Sequence, residues 1–239
     1  RVASPLHIPR GRTGQRAVPT ANIGVFAGEA ASLFNNMKTP ASILAGALIP
    51  IGFLSPLPDP RKDEGKVVRT LRQLYLVVAT ASFCSQLLSI MHATVAVNKL
   101  TETVVAPTSS VFELLQRDYE LPWVATNAHF LFGMFGFMSL IGFRSYLAAS
   151  SSAFGLAAFG WAASGLAMMA AIVNRGVESN PGAGWGTMAF LFSRYVVLIT
   201  KSAVGRVGSF GPLELTSLVL ACMSVALTAK AVLGGSEDS

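Results

Sequence analysis

Charged residues are scarce in this chain. Only 13% of its 239 residues are Asp, Glu, Lys or Arg, whereas about 25% are charged in a typical soluble domain, and 52% are apolar. Several uncharged runs exceed the roughly 20 residues that cross ~30 Å of hydrocarbon at ~1.5 Å per residue. These runs are continuously apolar, without the alternation of a membrane β-barrel. The composition therefore predicts an all-α, polytopic helical membrane bundle.

Cysteines and enzyme motifs are also few. Cys84 and Cys222 both lie in apolar runs without CxxC or metal-ligand spacing, so we expect two buried free thiols and no disulfide framework. The sequence has no HExxH, no P-loop, no dinucleotide fingerprint and no GxSxG in a strand-turn-helix setting. Paired carboxylates inside a span are missing as well, which argues against a proton-relay pump. We therefore predict that the protein is not an enzyme.

The charge that is present is mostly positive and unevenly placed. Ten of the 18 Lys and Arg precede the first clear span, with no nucleic-acid-binding motif or aromatic platform among them. We expect contact with an anionic membrane surface rather than with nucleic acid. Residues 1–38 are predicted to form a basic, flexible arm. Its composition is typical of the tail of an organellar transit sequence, and a solvated arm with no targeting history is the alternative.

The apolar runs divide the rest of the chain. Residues 41–57 are short and interrupted by prolines, so 39–72 is predicted to hold a Pro-broken, interfacial or re-entrant segment and a charged connector. About five transmembrane helices are predicted within a bundle at 73–233, followed by a polar tail at 234–239; the spans are 73–97, 122–143, 153–173, 184–200 and 212–233. The third span is rich in Ala, Gly and Ser, which predicts a packing helix in the bundle centre.

This topology gives an asymmetry of basic residues. With five spans, 13 lie on one side and four on the other, as the positive-inside rule requires; the four are Lys99, Arg117, Arg175 and Lys230. If 184–200 lies only in the interface, the asymmetry weakens. Arg194 falls inside that segment, where a midplane charge costs from about 2.5 to over 10 kcal/mol. It is predicted to anchor an anionic lipid headgroup or a partner's carboxylate; snorkelling, or a tilted interfacial helix, is the alternative.

Two of the three histidines lie inside predicted spans. His92 and His129 fall about 7–8 Å and about 10 Å below the same boundary, on sequential antiparallel helices. A neutral imidazole offers one lone pair to a metal, so either could ligate the magnesium of a chlorophyll, or both could clamp a haem iron. Hydrogen bonds between helices are the structural alternative. The rotations of the two helices decide between these readings.

A polar stripe lies on the same helix as His92. Ser82, Ser85, Gln86 and Ser89 fall within about 100° of one another and should face protein instead of lipid. The stripe either joins helices or lines a cofactor or substrate cavity, and Gln86 is therefore a candidate cofactor-binding residue together with His92 and His129. The Phe- and Gly-rich second span offers flat walls that would suit a macrocycle or a carotenoid.

Three stretches carry a resemblance to a known group of proteins. KTPASILAGALIPIGFLSPLPDP, SIMHATVAVNKLTE and LPWVATNAHFLFGMFGFMSLIGFRSY, within residues 38–150, are similar to plastid-targeted multi-pass proteins of algae with red-lineage plastids. The resemblance implies a chloroplast thylakoid location and an accessory role in a photosystem–antenna supercomplex. Photosystem core and antenna subunits would then be partners, and chlorophyll and carotenoid the cofactors. The ExxxxRxA motif of light-harvesting proteins is absent, which argues against a primary antenna role.

The sequence thus predicts a structural, accessory membrane subunit that ligates a few pigments. Two functions from other classes stay open. A small transporter or channel would use the polar stripe and Arg194 to line a pathway. A b-type haem electron carrier would use His92 and His129 as iron ligands.

Overall fold

The chain folds into helices throughout its described parts. The computed structural model describes residues 25–59, 65–178, 187–205 and 211–234, and no strand occurs within those ranges. The helices are α1 (Ala27–Ile49, continued by a π-helical turn at Pro50–Leu54), α2 (Lys66–Glu102), α3 (Val111–Asp118), α4 (Glu120–Ala148), α5 (Ser152–Glu178), α6 (Met188–Gly205) and α7 (Pro212–Gly234). The all-α prediction is confirmed, and Trp185 and Arg206 lie outside the described residues.

Within the described residues, four helices are long and apolar enough to cross a membrane. They are Ala27–Leu54, Lys66–Glu102, Glu120–Ala148 and Ser152–Arg175, as expected for a multi-pass membrane protein. The last three contain the first three predicted spans. The predicted count of about five is not confirmed, because α6 and α7 are not among the four; α7 contains a shorter apolar helix, Leu215–Lys230.

The boundaries predicted around α1 need correction. The helix begins at Ala27, inside the range assigned to a flexible arm, and passes Pro40 without a break. It widens only at Pro50, where a π-helical turn closes with a 2.9 Å hydrogen bond from the Ser55 N–H to the Pro50 carbonyl. Phe34 and Leu48 are fully buried along one face of α1. Tertiary packing of this face offsets the hydrogen bond that an interior proline removes.

Helices α2 and α4 form the antiparallel centre of the bundle. At one end, Ala30 and Phe34 of α1 pack with the C-terminal part of α2, with α3, and with Trp123 of α4. At the other end, Leu48 packs with Tyr75 and Leu140. Helix α1 therefore runs antiparallel to α2. The count of 13 basic residues against four assumed that 41–57 does not cross, so it does not apply to a bundle that includes α1 as a span.

Side chains of α2 and α4 bind carbonyls at the end of α1 and in the segment that follows it. The Tyr75 hydroxyl donates to the Ile51 carbonyl at 2.5 Å, and the Arg144 guanidinium donates to the Ser55 carbonyl at 3.1 Å. Arg72 donates to the Pro58 carbonyl at 2.5 Å. The last carbonyls of a helix lack intrahelical donors, so these bonds fix the chain where α1 stops.

Helix α5 lies at the edge of the bundle, so the prediction that it occupies the centre is wrong. Only 6% of its most apolar 18-residue window is buried within the chain. One face packs on α4, where Ala162 lies against Gly142, while a side chain on Gly160 would meet open space. Small residues allow close packing but do not dictate how many neighbours a helix has. The predicted burial of Cys84 and Cys222 is also wrong, because both are exposed on apolar helix faces.

Candidate functional site in the polar interior of the bundle

The polar stripe of α2 faces protein, as predicted, and its partner is α4. Its four side chains are between 0% and 7% exposed. The Ser89 hydroxyl donates to the Thr126 carbonyl at 2.9 Å, and Gln86 Nε2 donates to the Phe130 carbonyl at 3.2 Å. Both acceptors belong to the backbone of α4. Side chains of the stripe on α2 therefore bind the main chain of α4 and join the two spanning helices.

Glycines of α4 make this close approach possible. A Cβ atom at Gly133 would overlap the Gln86 amide, and one at Gly136 would overlap the Ser82 hydroxyl. The sequence suggested that these glycines leave room for a macrocycle, but side chains of α2 fill the space instead. Gln86, a predicted cofactor ligand, is enclosed in this interface. Its Oε1 atom is buried and has no hydrogen-bond partner among the described residues.

The two histidines come together between α2 and α4. The ring centroids of His92 and His129 are 6.0 Å apart and their planes differ by 11°, so the two rings are nearly parallel. A ring nitrogen lone pair lies in the plane of its ring. Each histidine can therefore coordinate a metal only in the plane of its own ring. The two predicted ligands therefore lie close together, and a haem iron held by both stays a prediction.

Tyr195 of α6 binds the second histidine. Its hydroxyl lies 2.6 Å from His129 Nε2, and the two rings meet edge to face with centroids 5.0 Å apart. Sequence reasoning did not single out Tyr195. A phenol within an apolar run was the available signal, because a buried tyrosine hydroxyl usually finds a hydrogen-bond partner.

His92 differs from His129 in its environment. It is half-buried, and within the described part of the chain neither of its ring nitrogens has a hydrogen-bond partner. An imidazole with a free lone pair is a metal ligand or a hydrogen-bond acceptor. Of the predicted pigment ligands, His92 thus keeps its ring nitrogens available, whereas His129 is already bonded.

Arg194 pairs with a carboxylate of its own chain. Its Nε and Nη2 atoms lie 2.7 Å and 2.5 Å from Oε1 of Glu120. Glu120 is the first residue of α4, so the guanidinium reaches the end of the bundle instead of its middle. Sequence reasoning expected a lipid headgroup or a partner's carboxylate, and it missed Glu120 because that residue belongs to the acidic loop before the span.

A cavity of about 240 Å³ opens beside the histidine–tyrosine pair. It lies between α2, α4 and α6 and is lined by Ser85, Ala128, His129, Phe132, Phe192 and Tyr195. A second cavity of about 300 Å³ lies near Trp123 and Leu191 and is almost wholly apolar. In the described ranges, no group of three or more His, Cys, Asp or Glu side chains gathers at one point.

No protein family model, curated protein or solved structure matches this chain.

Proposed function

We propose that the chain is a structural subunit of a larger membrane assembly and that its polar interior holds the bundle together. The observation that carries the first part of this proposal is the exposed Trp161 on the outward face of α5. The second part is carried by the bonds that join helices inside the bundle. Ser89 and Gln86 bind α4, and Tyr195 and Arg194 of α6 bind the same helix. Hydrogen bonds of this kind contribute about 0.6 to 2 kcal/mol each between membrane helices.

The transporter alternative receives little support from the same geometry. A solute pathway along the stripe would need open volume next to its hydroxyl and amide groups. Gln86 and Ser82 instead pack against the backbone at Gly133 and Gly136. Arg194, the other residue expected to line a pathway, is paired with Glu120 at the end of α4.

The outward face of α5 supports assembly with other subunits. Trp161 lies near the middle of the span Ser152–Arg175 and is 81% exposed. Tryptophans that face lipid are enriched at the two membrane interfaces, whereas large aromatic side chains frequently anchor protein interfaces. A partner helix covering Trp161 would also bury the exposed Phe154 and Met168 on the same side of α5.

Pigment ligation through His92 is a second candidate function, which the free ring nitrogens of this residue favour. The magnesium of a chlorophyll needs one axial ligand from the protein, and a neutral imidazole supplies it. The nearly parallel ring of His129, with its centroid 6.0 Å away, would lie beside the His92 ring. A thylakoid location, photosystem and antenna partners, and a carotenoid beside the chlorophyll are the finer form of this proposal. That form rests on the resemblance of residues 38–150.

The test is the pigment content and composition of the complex isolated from native membranes in mild detergent. We expect other membrane polypeptides and a bound chlorophyll. His92→Phe should remove that pigment, whereas the matched variant His129→Phe should retain it and lower the melting temperature. A pigment-free complex would overturn pigment ligation and leave the structural role intact. A chain that purifies alone would overturn the structural role.

A further inference from the structure

The cavity beside Tyr195 has the features of a binding site for a flat, oxygen-bearing ring. Phe132 and Phe192 supply aromatic surface, while Ser85, His129 and Tyr195 supply polar atoms. Its volume of about 240 Å³ is below the roughly 300–1,000 Å³ of pockets that enclose a whole ligand. Phe132 is 50% exposed, so one wall of the cavity reaches the outside of the bundle. A ring therefore fits inside while a long tail lies outside.

Ser85 differs from the other two serines of the stripe, because its hydroxyl has no hydrogen-bond partner among the described residues. Ser82 donates to the Val78 carbonyl at 2.6 Å, and Ser89 donates to the Thr126 carbonyl. The Ser85 side chain is only 7% exposed and lines the cavity, yet its hydroxyl has no hydrogen-bond partner among the residues that the structure describes. A hydroxyl that opens onto an apolar cavity without a hydrogen-bond partner is unfavourable. A ligand oxygen in the cavity would accept its proton.

The His129–Tyr195 pair offers a second polar contact. If His129 Nε2 carries the proton, it donates to the tyrosine oxygen and leaves the Tyr195 O–H free to donate into the cavity. In the other tautomer, Tyr195 donates to Nε2 and its oxygen keeps a free lone pair. The first arrangement, together with Ser85, presents two hydroxyl donors to one ligand.

We propose that this cavity binds the head ring of a prenylated quinone. A planar quinone ring fits against the faces of Phe132 and Phe192, and its carbonyl oxygens accept hydrogen bonds from Ser85 and Tyr195. The isoprenoid tail leaves beside Phe132 into the surrounding apolar phase. A hydroxylated ring on a long apolar tail shares part of this chemistry. The proposal goes beyond the structural role, because it requires neither His92 nor an assembly partner.

The experiment measures saturable binding of a radiolabelled benzoquinone with a ten-carbon tail to the full-length protein in nanodiscs. We expect one site per chain. Ser85→Ala and Tyr195→Phe should each weaken binding about 2- to 12-fold, since a neutral hydrogen bond contributes about 0.5–1.5 kcal/mol. Ser82→Ala is the matched control, because Ser82 lies on the same stripe but does not line the cavity. The affinity of this variant for the quinone should stay unchanged.

Two further arms identify the ligand and guard against misfolding. Ala128→Leu places bulk in the cavity and should abolish saturable binding, with the melting temperature recorded for each variant. If Ala128→Leu does not fold, the pair Ser85→Ala and Ser82→Ala still decides. A ring alcohol with the same tail should compete more weakly than the unlabelled quinone. Tighter binding of the alcohol, an equal loss in both serine variants, or binding that does not saturate would each overturn the proposal.

Discussion

Helices α2 and α5 contain windows of almost equal hydropathy, but α2 is buried within the chain to a much larger extent. Their most apolar windows have mean hydropathies of 1.7 and 1.8, yet 33% of the first window and only 6% of the second are buried within the chain. The difference lies in the placement of polar groups. Four polar side chains at helical spacing direct one face of α2 onto α4, whereas α5 carries small and aromatic residues on a face without a neighbour among the described residues. Hydropathy alone identifies a span, and polar spacing identifies its protein-facing side.

Matched glycine substitutions on α4 and α5 should give the largest difference in melting temperature. Gly136→Leu would force α4 away from Ser82 of α2, whereas Gly160→Leu on α5 meets open space. Overpacking typically costs about 1–3 kcal/mol, and more where the backbone must move. We expect Gly136→Leu to lower the melting temperature of the detergent-solubilised protein sharply, or to prevent folding. Gly160→Leu should leave it nearly unchanged, and equal melting temperatures would contradict the assigned interface.

Removal of the ion pair between α6 and α4 should cause a smaller loss of stability. The Arg194 and Glu120 side chains are 36% and 26% exposed, so solvent screens them and a contribution of up to about 1 kcal/mol is expected. Arg194→Gln and Glu120→Gln should each destabilise the protein. The double variant should lose less than the two single losses combined, as measured by thermal unfolding in detergent. Strict additivity would show that the two side chains do not act together.

Substitution of each histidine should show how much a hydrogen-bonded side chain contributes to stability compared with one that has no bond within the described residues. In protein prepared without pigment, His129→Phe removes the bond to Tyr195 and should cost about 1 kcal/mol. His92→Phe removes no hydrogen bond within the described residues and keeps an aromatic ring for stacking, so its melting temperature should be close to that of the original chain. A larger loss for His92 than for His129 would reverse the roles assigned to them.

The smallest effect is expected outside the membrane, at the start of α3. The Ser109 hydroxyl and N–H both bind the Glu113 carboxylate, and these hydrogen bonds hold the pKa of Glu113 below its ordinary value. A lowered pKa in the folded state stabilises the protein above the pKa of the unfolded chain, and this contribution is lost as pH falls through the folded value. Between pH 7 and pH 3, the original chain should therefore lose slightly more melting temperature than Glu113→Gln. An equal loss would argue against this bond.

The sequence predicted the parts of the structure that depend on local pattern. Helical spacing placed Ser82 to Ser89 against protein, and helix length placed His92 and His129 at one depth. The partners of these groups could not be predicted in the same way. Glu120 and Tyr195 meet Arg194 and His129 only through tertiary packing, across 74 and 66 residues of sequence. Helix α1 was not predicted as a span because its region contains prolines, whose destabilising effect is offset by the burial of Phe34 and Leu48.

Photo-crosslinking from the outward face of α5 tests the proposed subunit role most directly. A photoreactive amino acid replaces Trp161 in native membranes, and the matched control replaces Met91, which is 58% exposed on α2. Our account predicts that position 161 crosslinks to another membrane polypeptide at higher yield than position 91. Crosslinks from both positions to lipid alone would contradict the proposal that this chain is a structural subunit.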